Sequence, residues 1–519
     1  MKDNLMSTNR YIDTRGQCTN PVTFTEAVVQ GLADGGGLFV PENLPHFSLE
    51  EILSLSNLTY AERAASIYRA FNIDIDDKTI STLMEKAYGD QFDSEDICPI
   101  TSLDNKTHVL ELWHGPTSAF KDMALQCLPL FFAQSAAQLR KTGSIDNNFL
   151  ILVATSGDTG KAALEGFKDK EGVKIAVLYP DGGVSDIQHK QMATQAGDNV
   201  EVWAVKGNFD DCQTGVKNVF NDEKFNKSLL DDKRYALSSA NSINWGRLLP
   251  QVVYYISSYG KLVNDGKLNA GEVLDVCVPT GNFGNILAAW YAKQMGTPLG
   301  KLFCASNENR VLTDFINTGE YSISDREFVL TPSPSMDILI SSNMERQLFE
   351  LTGRDGNTIS QWMTDLKEKG SFKIDTLTLQ KLQEDFASDS IDNDTCLKTI
   401  SNVLKNYNYL IDPHTAVAMK VAENLRRDNQ VLIASTAHWA KFGENVYRGL
   451  HAIATDEPLP AEISALSGCE LNELIANETS THNIPKGLAE LDSLNIRFET
   501  VIESSTSSIE SSVKTFLDE

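Results

Sequence analysis

Four short segments of this 519-residue chain carry side chains that could do chemistry. The first, Leu112-Trp113-His114-Gly115-Pro116-Thr117-Ser118-Ala119-Phe120-Lys121-Asp122, runs into the most apolar stretch, Met123 to Leu139. A lysine at the start of a buried helix faces the positive end of the helix dipole. Its proton is then held less tightly or its charge is paired, and a neutral amine is the form that adds to a carbonyl. The same position also suits a lysine that pairs with Asp122 or reaches out of a surface turn.

The second segment, Ala154-Thr155-Ser156-Gly157-Asp158-Thr159-Gly160, follows an apolar run. Its backbone N–H groups and three hydroxyls suit a carboxylate or a phosphate at a helix N-terminus, although an ordinary strand-to-helix turn with an Asp cap has the same appearance. The third, Pro279-Thr280-Gly281-Asn282-Phe283-Gly284-Asn285, has the look of a phosphate-cradling loop. It contains no lysine, which fits a fixed phosphate better than a transferred one. The fourth, Ala434-Ser435-Thr436-Ala437-His438-Trp439-Ala440-Lys441-Phe442, places hydroxyls after another apolar run, where they suit a pyridine ring nitrogen. His438 reads either as a site group or as a structural histidine. The eight histidines are scattered, with no H-E-x-x-H and no Cys/His cluster, so no metal is expected.

The elements that must position these segments alternate between strand and helix. Phe149 to Ala154, Val173 to Tyr179 and Val200 to Val205 are continuous apolar runs, with helices expected at 161–168, 185–196 and 210–221. Three such units in succession predict a parallel sheet covered by helices. The pattern returns in strands at 273–279, 302–306 and 431–435 and helices at 285–294 and 413–424. The reading is therefore two α/β lobes with a cleft, in which ligands bind beyond the carboxyl ends of the strands. Residues 1–100 read as a separate, mostly helical domain, 101–240 as the first lobe and 241–519 as the second. The second includes an elaboration at about 310–400, where Trp362 to Glu384 reads as one amphipathic helix. Met123 to Leu139 reads as a buried helix. The tail from Ser504 has Ile509, Val513 and Phe516 at helical spacing and reads as a terminal helix or as disorder.

The chain has 45 Lys and Arg against 71 Asp and Glu, a formal net charge of -26. That balance repels nucleic acid and anionic membrane surfaces but leaves a small anionic metabolite open as a substrate, since a local pocket can oppose the global field. No apolar run reaches bilayer length. Eight cysteines without a C-x-x-C pair suggest reduced thiols, and no secretory signal is expected behind Met1-Lys2-Asp3-Asn4. A cytoplasmic location follows as the expectation.

Taken together, the segments resemble the threonine synthase family in its fungal and bacterial form. The resemblance runs in family order from Tyr11-Ile12-Asp13-Thr14-Arg15-Gly16 and Asp34-Gly35-Gly36-Gly37-Leu38-Phe39-Val40-Pro41, through Lys121 and Thr155 to Gly160. It continues through Gly207 to Gln213, Asn241-Ser242-Ile243-Asn244-Trp245-Gly246-Arg247 and Pro279 to Asn285, and ends at Ser435 to Phe442. Beyond about 450 it is thin. It implies an α/β fold type II pyridoxal 5'-phosphate (PLP) enzyme, tryptophan synthase beta-like, with two parallel-sheet lobes and an added N-terminal helical domain. It further implies that Lys121 carries PLP, that Gly281, Asn282, Phe283, Gly284 and Asn285 hold the cofactor phosphate, and that Thr436 meets the ring nitrogen. Ser156, Asp158, Thr159, Asn241, Asn244 and Arg247 then face the substrate. The implied reaction is a carbon–oxygen lyase step of threonine biosynthesis, O-phospho-L-homoserine plus water giving L-threonine plus phosphate, in a monomer or homodimer. A related phospho-lyase or dehydratase ending in 2-oxobutyrate is the nearest rival. Trp439 departs from the family, which commonly has proline there.

Overall fold

The computed structural model describes residues 8–324, 326–481 and 483–518; the start, Met1-Lys2-Asp3-Asn4, lies outside them. Two sheets organise the chain. The five-stranded one has the order Val501–Glu503, Val200–Lys206, Val173–Pro180, Asn148–Ala154 and Tyr235–Ser238, and every pair is parallel. The six-stranded one has the order Phe386–Ser390, Leu299–Ser306, Leu274–Pro279, Gln430–Ser435, Thr107–Glu111 and Ile100–Ser102; only the last pair is antiparallel. Apolar runs such as Leu150 to Val153 are fully buried because helices cover both faces of a parallel strand.

The sheets cut across the divisions expected along the chain. Thr107–Glu111, which precedes Lys121, pairs with Gln430–Ser435 in the six-stranded sheet, while Val501–Glu503 joins the five-stranded one. The terminal helix Thr506–Asp518 packs on that same sheet through Ile509, Val513 and Phe516. The N-terminal helices Phe24–Gln30, Leu49–Leu55, Tyr60–Ala70 and Asp77–Ala87 do not enclose a core of their own. Trp245, at the start of the long helix Trp245–Asn264, meets the rings of Tyr11 (6.0 Å), Phe71 (6.1 Å) and Tyr291 (5.4 Å) in tilted and edge-to-face contacts, so one aromatic cluster spans both regions. Fully buried Arg346 adds a polar tie, donating to the Phe39 and Ile243 carbonyls and to Asn343 Oδ1.

Two helices expected from the sequence are broken. Met123 to Leu139 divides into Lys121–Leu125 and Leu128–Thr142, because Pro129 has no N–H to donate and sits in the first turn of the second helix. Trp362 to Glu384 is not one helix: Gly356–Lys369 ends at Gly370 with φ 73°, the strand Ser371–Lys373 follows, and Asp375 caps Thr376–Asp385. A positive φ there ends the helix at little cost only because the residue is glycine.

Candidate functional site

The four chemistry-bearing segments meet at the carboxyl ends of strands from both sheets. Ser156 and Thr159 follow Asn148–Ala154, Gly281 to Asn285 follow Leu274–Pro279, and Thr436 follows Gln430–Ser435. They line one cavity of about 580 Å³ together with Lys121, Asn241 and Arg247. Lys121 reaches Thr436 through backbone pairing. Ala119 bridges Ala437, the Phe120 N–H donates to the Thr436 carbonyl (2.8 Å), and the His438 N–H donates to Ser118 (3.1 Å).

Lys121 is buried, and its partner is not Asp122. That carboxylate accepts from the Thr117 N–H (2.8 Å) and hydroxyl (2.7 Å), while Lys121 Nζ lies 3.6 Å from Asp158 Oδ2 and 3.4 Å from Ser335 Oγ. Burial lowers the Lys121 ammonium to about 8; Asp158 opposes the shift, and Arg247 and Lys441 add to it. The five-residue helix behind Lys121 makes desolvation a better account of the shift than a long helix dipole.

Gly281 to Asn285 form a tight turn into the helix Gly284–Gln294, with Phe283 at φ 62°. The first-turn N–H groups of that helix have no intrahelical acceptor, which makes the turn an anion seat. A Cβ on Gly281 would lie 2.9 Å from the Ser335 carbonyl, so the loop and the 335–342 segment approach more closely than any other residue allows. The Tyr254 and Tyr255 hydroxyls each lie 2.6 Å from Asn285 Oδ1, which fixes the amide orientation and leaves the buried Nδ2 without a partner among the described residues. An orphaned donor beside free N–H groups fits an acceptor-rich anion such as a phosphate. With a buried amine of lowered proton affinity and the Thr436 hydroxyl in the same cavity, the residues present fit PLP.

Two expected substrate groups do not line the cavity. Asp158 is buried behind Lys121. Its Oδ1 is engaged by Gln188 Nε2 (3.0 Å) and Lys441 Nζ (3.1 Å), and its Oδ2 by Ser335 Oγ (3.1 Å) and Lys121. Burial raises its proton affinity, but the two ammonium groups and the Gln188 amide outweigh that and hold the carboxyl well below the usual range. Asn244 is an N-cap: its Oδ1 accepts from the Gly246 N–H (2.9 Å) and its Nδ2 donates to the Val28 carbonyl (2.8 Å). Asn244→Ala is therefore expected to lower unfolding free energy by about 1–2 kcal/mol in chemical denaturation, while KM of the folded enzyme stays near the wild-type value. A large KM increase without loss of stability would return Asn244 to the substrate side.

Other cavity groups had weak sequence signals. Ser335 and the residues to Ser342 come from the 310–400 elaboration, marked in the sequence only by Thr331-Pro332-Ser333-Pro334-Ser335. Ser341 Oγ donates to the Gly281 carbonyl (2.7 Å) and the Asn343 N–H to that of Asn282 (3.1 Å), so this segment buttresses the anion loop. His414 accepts the Ser335 N–H at Nε2 (3.2 Å) and meets Asp412 through Nδ1 (2.6 Å). Phe209, Asp210, Gln213 and Lys217 line a further wall from the helix Phe209–Asn221. The family block at 11–16 serves at a distance: Thr14 and Arg15 bind Glu345 on the helix Met344–Leu351, just after the buttress. His438 is structural; burial lowers it to about 3, and its Nδ1 accepts the Ala440 N–H. Among the described residues no group of His, Cys, Asp and Glu is placed to hold a metal ion, all eight cysteines are free, and no helix is long and apolar enough to cross a membrane.

Comparisons with known proteins agree with this geometry. The profile described as "Threonine synthase N terminus" matches residues 10–88, "Pyridoxal-phosphate dependent enzyme" matches 106–436, and "Threonine synthase, C-terminal" matches 415–513. The last extends the likeness well past the point where motifs alone became thin. Threonine synthase-like 1 of Homo sapiens is 43% identical over 452 residues, 85% of this chain and 60% of that protein, so the chain spans about three fifths of the length of that relative. Threonine synthase of Saccharomyces cerevisiae is 36% identical over 490 residues, 88% of this chain and 93% of the yeast protein. The crystal structure of PLP-bound threonine synthase from Brucella melitensis superposes with a TM-score of 0.84 at 35% identity, covering 98% of this chain and 100% of that one. With this fold, these motifs and this coverage, the chain belongs to the threonine synthase family of fold type II, PLP-dependent enzymes.

Proposed function

We propose that this chain is a threonine synthase, using PLP to convert O-phospho-L-homoserine and water into L-threonine and phosphate. The observation that carries the reading is the joint lining of one cavity by Lys121, the Gly281 to Asn285 anion loop and Arg247. Bound PLP supplies an electron sink for charge that develops at the substrate Cα. Gly281 to Asn285 would hold its phosphate through loop N–H groups, and the Thr436 hydroxyl would face its ring nitrogen. Lys121 would carry the cofactor and, once displaced, move the Cα proton at Nζ.

On the substrate side, Ser156 and Thr159 offer hydroxyls to the amino-acid carboxylate. Asn241 and Arg247 stand for the phosphate end. Arg247 Nη1 donates to the Ala240 carbonyl (2.8 Å), which orients the guanidinium and leaves its other donors for an anion. The cavity is walled by the ends of strands from both sheets and by 335–342, walls that would limit water at the reacting atoms. A cytoplasmic monomer or homodimer remains the companion proposal.

The rival reading is a phospho-lyase or dehydratase of the same fold, which would use the same lysine. A single incubation with PLP and O-phospho-L-homoserine separates the two readings. Equal threonine and phosphate are expected; phosphate with 2-oxobutyrate and no threonine would move the assignment to a phospho-lyase.

A further inference from the structure

Behind the cavity, two buried amines share one carboxylate. Lys441 is fully buried; its ammonium donates to the Thr117 carbonyl (2.7 Å) and Gln191 Oε1 (2.9 Å) and forms an ion pair with Asp158 Oδ1 (3.1 Å). Lys121 has longer contacts, 3.4 Å to Ser335 Oγ and 3.6 Å to Asp158 Oδ2, and the Ser335 hydroxyl already donates to Asp158. Desolvation penalises both cations, and Lys121 has the poorer set of acceptors. One carboxylate offsets one buried charge, so the poorly served amine is the one that discharges.

We propose that Lys441 is a positioning residue: its buried ammonium claims Asp158 and Gln191 and so leaves Lys121 as the amine that gives up its proton. The charged and titratable groups around Lys121 agree with this division. Asp158 stands at the start of the helix Asp158–Phe167, Arg247 on Trp245–Asn264, Lys441 in the turn Trp439–Phe442, and His414 on Pro413–Leu425. Asp122, beside Lys121 in sequence, is turned to Thr117. Arg247 and Lys441 oppose a proton on Lys121 and Asp158 favours one; the Asp337 carboxyl also lines the cavity. The Ala440 carbonyl accepts from Asn472 Nδ2 (2.7 Å) and the Lys441 carbonyl from Ser185 Oγ (3.2 Å), which fixes the turn that carries the ammonium.

Removing the Lys441 charge frees Asp158 for Lys121 and deletes a repulsive neighbour. Both changes raise the proton affinity of Lys121. The inference rests on the reading of Lys121 as the reacting amine, but its test contains neither substrate nor cofactor. The full chain, freed of PLP, is labelled with trace acetic anhydride from pH 6 to 11, and acetylation of Lys121 is followed by peptide mass spectrometry with exposed Lys217 as the internal reference. The wild-type midpoint is expected near 8, and in Lys441→Met and Lys441→Gln it is expected to rise by about 1 unit or more. Hydrogen exchange and a thermal melt on the same samples establish that each variant is folded. A wild-type Lys121 that labels with the midpoint of Lys217 would overturn the proposal, and so would a midpoint in either folded variant that stays or falls. Failure of the chain to make threonine would leave these midpoints untouched, so the two readings fail separately.

Discussion

Lys121→Ala is expected to lose turnover of O-phospho-L-homoserine by about 10⁴-fold or more, with little change in thermal stability. The catalytic loss follows from removing both the cofactor attachment and the proton carrier, and general acid–base catalysis alone contributes up to about 10⁴-fold. Stability is spared because Asp158 keeps Lys441, Gln188 and Ser335 as partners when the Lys121 amine is gone. Deleting a buried amine with long contacts also removes a desolvation penalty. A small primary amine added to the variant should restore part of the rate, since it can enter the space left by the side chain. The measurement is kcat/KM for threonine formation beside a thermal melt. Turnover within tenfold of wild type would show that Lys121 is not the reacting amine.

Asp158→Ala tests the opposite balance: activity falls because the fold around the site fails. Two buried ammonium groups would share a pocket with no anion, and breaking a buried pair by removing one partner typically costs about 3–5 kcal/mol. The sign of the pH dependence is fixed by the groups that remain. In the wild type the Asp158 carboxyl is held below its unfolded value. Its contribution is therefore fully present above about pH 4 and is lost only as the pH falls toward the lower folded value. In the variant the folded state strains to discharge Lys121, whose proton affinity falls further once Asp158 is gone. The deficit is thus largest at and below neutral pH and shrinks as the pH rises and Lys121 loses its proton. Chemical denaturation at pH 6, 7.5 and 9 reads this directly. A deficit below 1 kcal/mol that does not vary with pH would mean that the two lysines do not depend on Asp158.

The contrast between Asp158 and Ser156 marks the limit of motif reading. Both lie in one glycine-bounded turn, and both were assigned to the substrate side. Gly157 adopts φ 127° and leaves no room for a Cβ, which would lie 2.4 Å from the Gln188 side chain. That backbone turn sends Asp158 inward to Lys441 and leaves Ser156 and Thr159 on the cavity. Asn244 and Arg247 divide in the same way, one folded back on the helix N-terminus and the other lining the cavity. Spacing identifies a turn, but the side on which each residue falls depends on φ at one glycine and on which caps are satisfied.

By itself the sequence determined the strand-and-helix rhythm, the place of Lys121 ahead of a buried helix, the anion loop at 281–285 and the family. These are local properties, set by apolar periodicity, glycine at turns and hydroxyls at strand ends, so they can be read from neighbours in the chain. Only the tertiary structure decided that Thr107–Glu111 belongs to the sheet of Gln430–Ser435 and that Ser335 and His414 meet at the cavity. It also decided that Asp158 pairs with Lys441, 283 residues away. These are pairings between distant segments, and their free energy comes from desolvation and short contacts that exist only after the two lobes have packed.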